Sequence, residues 1–364
     1  MRALWLVREN LTRHPGGDTT QILQSAQALR TRGVQVDLCS EPRPHLGGYD
    51  IVHLVHLDRL WENVPHCRML RRERRPAVLS PIYWPPDEFD RAGRAGVQGL
   101  LARACGSRTY ENLRLWQRWA MHVAQYRSLH SLRSARATFR AGVRYVLDTV
   151  ALLLPNSHAE REQIEQRFGI RKPAVIVPNA ADVATFGPPA PSAGPRDGVL
   201  CVGRIEPRKN QLALIQALRD KDIPLTLVGQ GGRFSRAYER RCRRAAGANV
   251  HFLGYRLPEA LHALYHAARV HACVSWYETP GLASLEAALC GCALVVTPGG
   301  CTREYFGDDA HYCQPDDPAS IRTAVENALR GGASDQLPQR VAHEFTWEAA
   351  AEKTLSGYTL ALRP

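Results

Sequence analysis

Glu278 and Glu286 stand eight positions apart in the stretch SWYETPGLASLEAALCGC, with Pro280 and Gly281 between them and an apolar run after them. A carboxylate is costly to desolvate unless a polar partner meets it, so this pair asks for a ligand or a cation. Pro280 and Gly281 break the chain after Glu278, and the pattern predicts a helix that begins near Ala283 and is closed by Gly291. The amides of Gly281, Leu282 and Ala283, at its start, lack intrahelical acceptors and suit phosphate or sugar oxygens. Glu286 falls near the end of the first helical turn and Glu278 on the loop before it, an arrangement fit for two sets of hydroxyls, those of a sugar and a ribose. The opposing assignment is local: Glu278 caps the helix, and Glu286 pairs with Arg204 or Lys209.

Those two cations have a pattern of their own. Gly203 and Arg204 come directly off a predicted strand, and Lys209-Asn210 opens the next helix. Two cations one loop apart, beside a helix amino terminus, form a seat for a diphosphate; without a ligand they are surface charges. Gly16-Gly17 lies between the first strand and the first helix, where backbone can approach an anion closely, although it is not the GxGxxG fingerprint. His53 and His56 end the strand DIVHLVH, either as acid, base or donor groups or as structural histidines. Gly229-Gln230-Gly231-Gly232 is a further glycine turn at a strand end. The ten cysteines are scattered and form no CxxC, which reads as reduced, mostly buried thiols; Cys290 and Cys292 would suit a soft metal only with a second pair of ligands nearby.

The elements that must position these residues alternate. A strand over Ala3 to Val7, a helix from about Thr19 to Arg32, a stop at Gly33 and the strand VQVDLC make a β-α-β unit. YDIVHLVHL, RPAVLSPIYW, VALLLPNS and AVIVPNAADVATF read as further strands. Composition shifts at 187–198, GPPAPSAGPRDG, to the Pro, Gly, Ala and Ser of a linker. Alternation then restarts through GVLCVGRI, PLTLVGQGG, NVHFLG, RVHACVS and CALVVTPGG. The predicted architecture is α/β, with two Rossmann-like, doubly wound domains facing across a cleft, whose ligands lie outside the carboxyl ends of the strands. The expected division is an amino-terminal domain over 1–186, the linker over 187–198 and a second domain over 199–344, with a terminal helix over about 345–364 crossing back.

The net charge of +12 is concentrated in residues 91–145, which hold eleven arginines and one acid, Glu111. Interleaved with Leu113, Trp116, Trp119 and Leu129, they predict basic amphipathic helices for an anionic membrane surface or a phosphorylated partner, or a solvated face with packed arginine stems. No recognised RNA module accompanies the charge, so no nucleic-acid partner is expected. MRALWLVREN carries no secretory or targeting pattern, and no apolar run approaches a membrane span, so a soluble cytoplasmic protein is expected, peripheral at the inner face of the membrane if the basic helices bind there.

Taken together, PNS, VPNAAD, CVGRIEPRKN, LVGQGG, HFLGY, ETPGLASLE, TPGGCTREYF and FTWEAAAEKTLSGY resemble the retaining glycosyltransferases of family 4, also called group 1, and GGDTTQ and LSPIYW resemble a subset of its bacterial polysaccharide enzymes. That resemblance implies the GT-B fold, with a nucleotide-sugar donor bound by the second domain. It implies that Arg204 and Lys209 hold the diphosphate, Glu278 accepts hydroxyls of the transferred sugar, and Glu286 those of the ribose. It also implies that Gly203, Gly281, Leu282 and Ala283 meet sugar and phosphate, while Gly17 approaches the diphosphate. Where family members commonly have a histidine near the donor sugar, this chain has Ile82, Tyr83 and Trp84, and their usual Asn-Gly is Asn179-Ala180. The expected reaction is transfer of a sugar to a hydroxyl of a lipid-linked or cell-surface glycan, with retention and with no cofactor or metal. A nucleotide-sugar 2-epimerase of the same fold and a non-catalytic glycan- or membrane-binding protein are the alternatives.

Overall fold

A computed structural model describes residues 1–13, 16–126, 138–188 and 194–363. Arg127, Leu129, Arg133 and Arg136 of the basic segment, and 189–193 of the expected linker, lie outside the described residues. In chain order the first elements are β1 (Arg2–Leu6), α1 (Gly17–Thr31), β2 (Gln35–Cys39), β3 (Ile51–Val55), α2 (Leu60–Glu73), β4 (Ala77–Ser80), α3 (Gly96–Ala104), α4 (Ser107–Tyr126), α5 (Phe139–Thr149), β5 (Leu152–Leu153) and α6 (His158–Phe168). They continue as β6 (Asp197–Val202), α7 (Gln211–Leu218), β7 (Leu225–Val228), α8 (Arg236–Ala245), β8 (Val250–Gly254), α9 (Pro258–Ala267), β9 (Ala268–Cys273) and α10 (Leu282–Leu289). The last are β10 (Ala293–Val296), α11 (Thr302–Phe306), β11 (Ala310–Tyr312), α12 (Pro318–Gly331), α13 (Leu337–Glu344) and α14 (Trp347–Ala361).

The chain divides into two compact units, and each is discontinuous. The first takes Met1–Pro85, Leu100–Pro178 and Trp347–Pro364; the second takes Pro86–Gly99 and Asn179–Thr346. The first unit holds a five-stranded sheet in the order β2-β1-β3-β4-β5, and every pairing in it is parallel. β3 reads IVHLV and is buried at all five positions, the continuous apolar pattern of a parallel strand covered on both faces. Helix α14 packs on α1, and its Tyr358 hydroxyl receives the Trp5 indole N–H at 2.8 Å.

The second unit holds a six-stranded parallel sheet in the order β11-β10-β9-β6-β7-β8. Its core joins Val199, Leu214, Leu225, Leu227, Val270, Val295 and Val325, each at most 2% exposed. Full burial of one such side chain stabilises by roughly 1.5–3 kcal/mol. β6 lies beside both β7 and β9, so the order of pairing reverses there and the loops after β6 and β9 are neighbours at the strands' carboxyl ends.

Local signals explain the element ends. Ser157 caps α6 by accepting from the Glu160 amide at 2.9 Å, and Gly169 closes it with φ of 66°. AVIVPNAADVATF, expected as a strand running out into a loop, instead makes two isolated parallel bridges, Ala174 to Leu153 and Ala181 to Thr346. Its first residues run beside β5, with the Val175 and Val177 amides donating to the Leu153 and Pro155 carbonyls at 3.0 and 2.8 Å, but β5 is only two residues long, and Pro155 and Pro178 donate no amide that would extend the ladder. Among the described residues no helix is long and apolar enough to cross a membrane.

Candidate functional site

Chemistry gathers in the second unit at the ends of β6 and β9. β6 runs into Gly203, and a single 3₁₀ turn, Pro207–Lys209, leads to α7. Asn210 follows in the left-handed region, at φ of 61°, where asparagine is better tolerated than most residues. Its side chain donates to the carbonyls of Val274, at 3.2 Å, and Pro315, at 2.6 Å. The turn is thereby pinned to the loop leaving β9. That loop is fixed again by the Trp276 amide donating to the Arg208 carbonyl at 2.9 Å, and by the Asn179 side-chain amide donating to the Thr279 carbonyl at 3.2 Å. Trp276 also packs on Phe89, so the 86–99 segment buttresses it.

Glu278 is held from both sides. Its backbone bridges to Gly300, accepting from the Cys301 amide at 2.8 Å and donating to the Gly299 carbonyl at 3.1 Å. Gly300 has φ of 95°, and a Cβ there would stand 1.9 Å from the Glu278 carbonyl oxygen, so only glycine allows this approach. The carboxylate is buried, and its Oε1 receives Lys209 Nζ at 2.6 Å, Arg208 Nη1 at 3.4 Å and the Cys273 thiol at 3.7 Å. Burial alone would raise this carboxyl, but the Lys209 and Arg208 charges outweigh it and hold it at about 2. Arg208 is anchored in turn by the Tyr277 carbonyl at 2.9 Å and Glu206 at 3.2 Å, and it lies over the Tyr277 ring. Burial opposes its charge, yet the Glu278 and Glu206 carboxylates raise its pKa.

Glu286 has a different setting. It stands on α10, and its Oε2 receives the Tyr265 hydroxyl from α9 at 3.0 Å. Burial pushes its carboxyl up to about 7, against the lowering effect of that hydroxyl. The residues expected to form a site thus separate into two settings. Lys209 and Glu278 are in direct contact, whereas Arg204 extends outward with its side chain 54% exposed, 3.6 Å from Glu206. Gly203, at φ of 151°, lies against the Lys209 side chain, and Gly281, Leu282 and Ala283 form the half-buried start of α10. The local pairing of Glu286 with Arg204 or Lys209 is replaced by the bond to Tyr265. Spacing singled out none of Arg208, Tyr265 and Asn179; Arg208 carried a signal as the cation next to Lys209, and Asn179 as the residue at the family's Asn-Gly position.

The remaining candidates belong to the first unit or to structure. Gly17 begins α1, next to Asp18, whose carboxylate takes Arg8 Nε at 2.6 Å and lies 3.2 Å from His56 Nε2. His53 is fully enclosed between the Tyr358 hydroxyl, at 2.7 Å, and Ser80 Oγ, at 2.8 Å, and burial lowers its pKa to about 3, which makes it a neutral packing group. Gly229 is required by a close approach: a Cβ there would stand 2.0 Å from the Gly203 carbonyl oxygen. In the basic segment, Arg94 pairs with Asp90, Arg118 with Asp58 and Arg140 with Glu111, which also takes Arg167 from α6. At least three of the segment's eleven arginines are thus paired with a carboxylate within the fold.

Residues 189–343 match the family described as Glycosyl transferases group 1. The O-antigen chain mannosyltransferase B of Escherichia coli is 26% identical over 235 residues, 59% of this chain and 62% of that one. This chain therefore spans about three fifths of that relative's length. A D-inositol 3-phosphate glycosyltransferase of Pseudarthrobacter chlorophenolicus is 32% identical over 331 residues, 80% of this chain and 76% of its own. Among solved structures, Anabaena HepE in complex with UDP and glucose superposes with a TM-score of 0.69 at 16% identity, covering 99% of each chain. The likeness shows the fold, two parallel-sheet α/β units of the GT-B class.

Proposed function

Since this chain belongs to the group 1 glycosyl transferases, we propose that it moves a sugar from a nucleoside diphosphate to a hydroxyl of a glycan or lipid-linked acceptor. The transfer proceeds with retention and needs no metal ion or other cofactor. The observation that carries this reading is the Glu278 carboxylate, kept anionic by Lys209 and Arg208 at the carboxyl ends of β6 and β9. Both cations address Oε1, while Oε2 lies beside Gly281, at the start of α10. On this reading Oε2 accepts hydroxyls of the transferred sugar.

As the nucleoside diphosphate departs, negative charge develops on it. Lys209, Arg208, Arg204 and the first amides of α10 supply fixed positive charge in the place a divalent ion would otherwise fill. Glu286, ionised, accepts the ribose hydroxyls. No side chain is assigned as a covalent nucleophile; the departing phosphate itself takes the acceptor proton on the face it leaves. On this reading Leu100 and Trp116, exposed on α3 and α4, meet the acceptor or an anionic membrane surface, and the protein is a peripheral, cytoplasmic one.

The test is a panel of UDP-, GDP-, dTDP- and ADP-sugars, following thermal stabilisation and slow release of nucleoside diphosphate. HepE was solved with UDP, which makes UDP-sugars the first arm. One donor is expected to raise the melting temperature, with the shift and the release both lost in Glu278→Gln and Lys209→Ala. Donor turnover at wild-type rate in Glu278→Gln overturns the assignment of the site, and failure of every nucleotide to bind overturns the function.

A further inference from the structure

We infer that His262, His266 and Cys290 form a binding site for a thiophilic divalent cation such as Zn²⁺, separate from the transfer chemistry. The sequence left Cys290 without a second pair of ligands, and the fold provides them. His262 and His266 are four positions apart on α9, a spacing that puts both rings on one face of a helix. Their centroids lie 4.1 Å apart. Cys290 caps the carboxyl end of α10 and meets them there: one ligand atom from each of the three residues lies within 4.8 Å of the others. Bonds of about 2.0–2.3 Å to a tetrahedral zinc need donor atoms roughly 3.3–3.7 Å apart, so side-chain rotations of about 1 Å complete the set.

The surroundings favour ligation over chance proximity. His266 Nε2 meets the Gly187 carbonyl at 2.8 Å. The carbonyl can only accept, so Nε2 carries the proton and Nδ1 is the nitrogen left with a lone pair for an ion, as in the outer-shell arrangement that fixes a metal-binding imidazole. Phe186 packs against the His262 ring on the same side. The Cys290 turn is held by Arg196, which donates to the Cys290 carbonyl at 2.9 Å and also to that of Gly291. Both histidines are half-buried and the thiol is buried, which leaves the fourth position to a water from the solvent side. On binding, Cys290 coordinates as thiolate and its proton passes to solvent. The ion then clamps α9 to the end of α10, one turn beyond Glu286.

The experiment is titration of the full, chelator-treated, reduced protein with Co²⁺ and then Zn²⁺. Expected are a thiolate-to-cobalt charge-transfer band saturating at one equivalent, its displacement by Zn²⁺, and a rise in melting temperature with Zn²⁺. The band should vanish in Cys290→Ser and the affinity fall at least tenfold in His262→Ala, while Cys292→Ser keeps both. His262 is half-buried, so His262→Ala tests the site even if Cys290→Ser folds poorly. A missing band in the wild type, a band that persists in folded Cys290→Ser, or unchanged affinity in His262→Ala overturns the assignment. Donor binding and turnover, measured separately, do not enter it.

Discussion

Lys209 Nζ stands 2.6 Å from Glu278 Oε1 across 69 positions of sequence, and the contact joins the turn after β6 to the loop after β9. Both side chains are largely buried, at 17% and 7% exposure, so neither charge is well solvated alone. Removing one partner of such a pair costs about 3–5 kcal/mol, because the other is left uncompensated. Lys209→Met is therefore expected to lower stability by about 3 kcal/mol, with Arg208 still supporting Glu278. The double variant with Glu278→Gln should recover part of that loss. Denaturant melts of the four proteins check this, and strictly additive losses would show the pair to be uncoupled.

The two glutamates give opposite responses to pH. Glu278 is held at about 2, below its ordinary value of 4.5, so it contributes stability that is complete above 4.5 and lost as pH falls through about 2. Glu286 is raised to about 7, so the fold prefers its neutral form; stability is greatest below 4.5 and declines as pH rises toward 7, then levels. Glu286→Gln should flatten the decline between these values and leave the acid limb, and Glu278→Gln should do the reverse. Unfolding free energy measured across pH 2 to 8 distinguishes them.

If Glu286 accepts ribose hydroxyls, it does so best as a carboxylate. Donor affinity is then expected to rise several-fold as pH passes through about 7, with proton release below that point. Calorimetry in buffers of different ionisation enthalpy measures both, and a pH-independent affinity that is unchanged in Glu286→Gln would remove the ribose role.

Gly300→Ala tests the backbone seat of Glu278. A left-handed alanine costs about 1–2 kcal/mol, and its Cβ would overlap the Glu278 carbonyl, 1.9 Å away. Turnover is expected to fall at least tenfold although no side chain of the site is touched. Retained turnover with a modest stability loss would mean that the loop relaxes without moving the carboxylate.

Tyr358→Phe separates packing from chemistry in the first unit. Its hydroxyl receives the Trp5 N–H at 2.8 Å and meets His53 Nδ1 at 2.7 Å. Removing it leaves buried polar groups unpaired at a cost of about 1–3 kcal/mol. Melting temperature should fall while turnover per folded molecule stays the same; a selective loss of turnover would return His53 to the chemistry.

The loop and helix around Glu278 were legible because Pro280 and Gly281 are strong local breaks and the apolar run after them has a helical period. α10 begins at Leu282, one residue before its expected start. Both parallel sheets were legible from alternation alone. Tyr265 and Asn179 were not, because their partners lie 21 and 100 positions away, and no local pattern encodes a contact between elements. Arg208 looked like one more surface cation beside Lys209 until the chain brought Tyr277 and Glu278 against it. AVIVPNAADVATF misled by composition: its residues suit a strand, and Val175 and Val177 do bond to Leu153 and Pro155, but β5 is too short and Pro178 comes too soon for the ladder to lengthen.

The first unit contains Trp347–Pro364, and the second interrupts it with 86–99 and 179–346. On the ribosome, domains form as their residues emerge. The segment 179–346 is made in one run, whereas the Tyr358 that closes over Trp5 and His53 arrives only when α14 has been translated. The segment that completes the first unit is therefore translated after the whole of the second, and until α14 emerges Trp5 and His53 lack the hydroxyl that joins them.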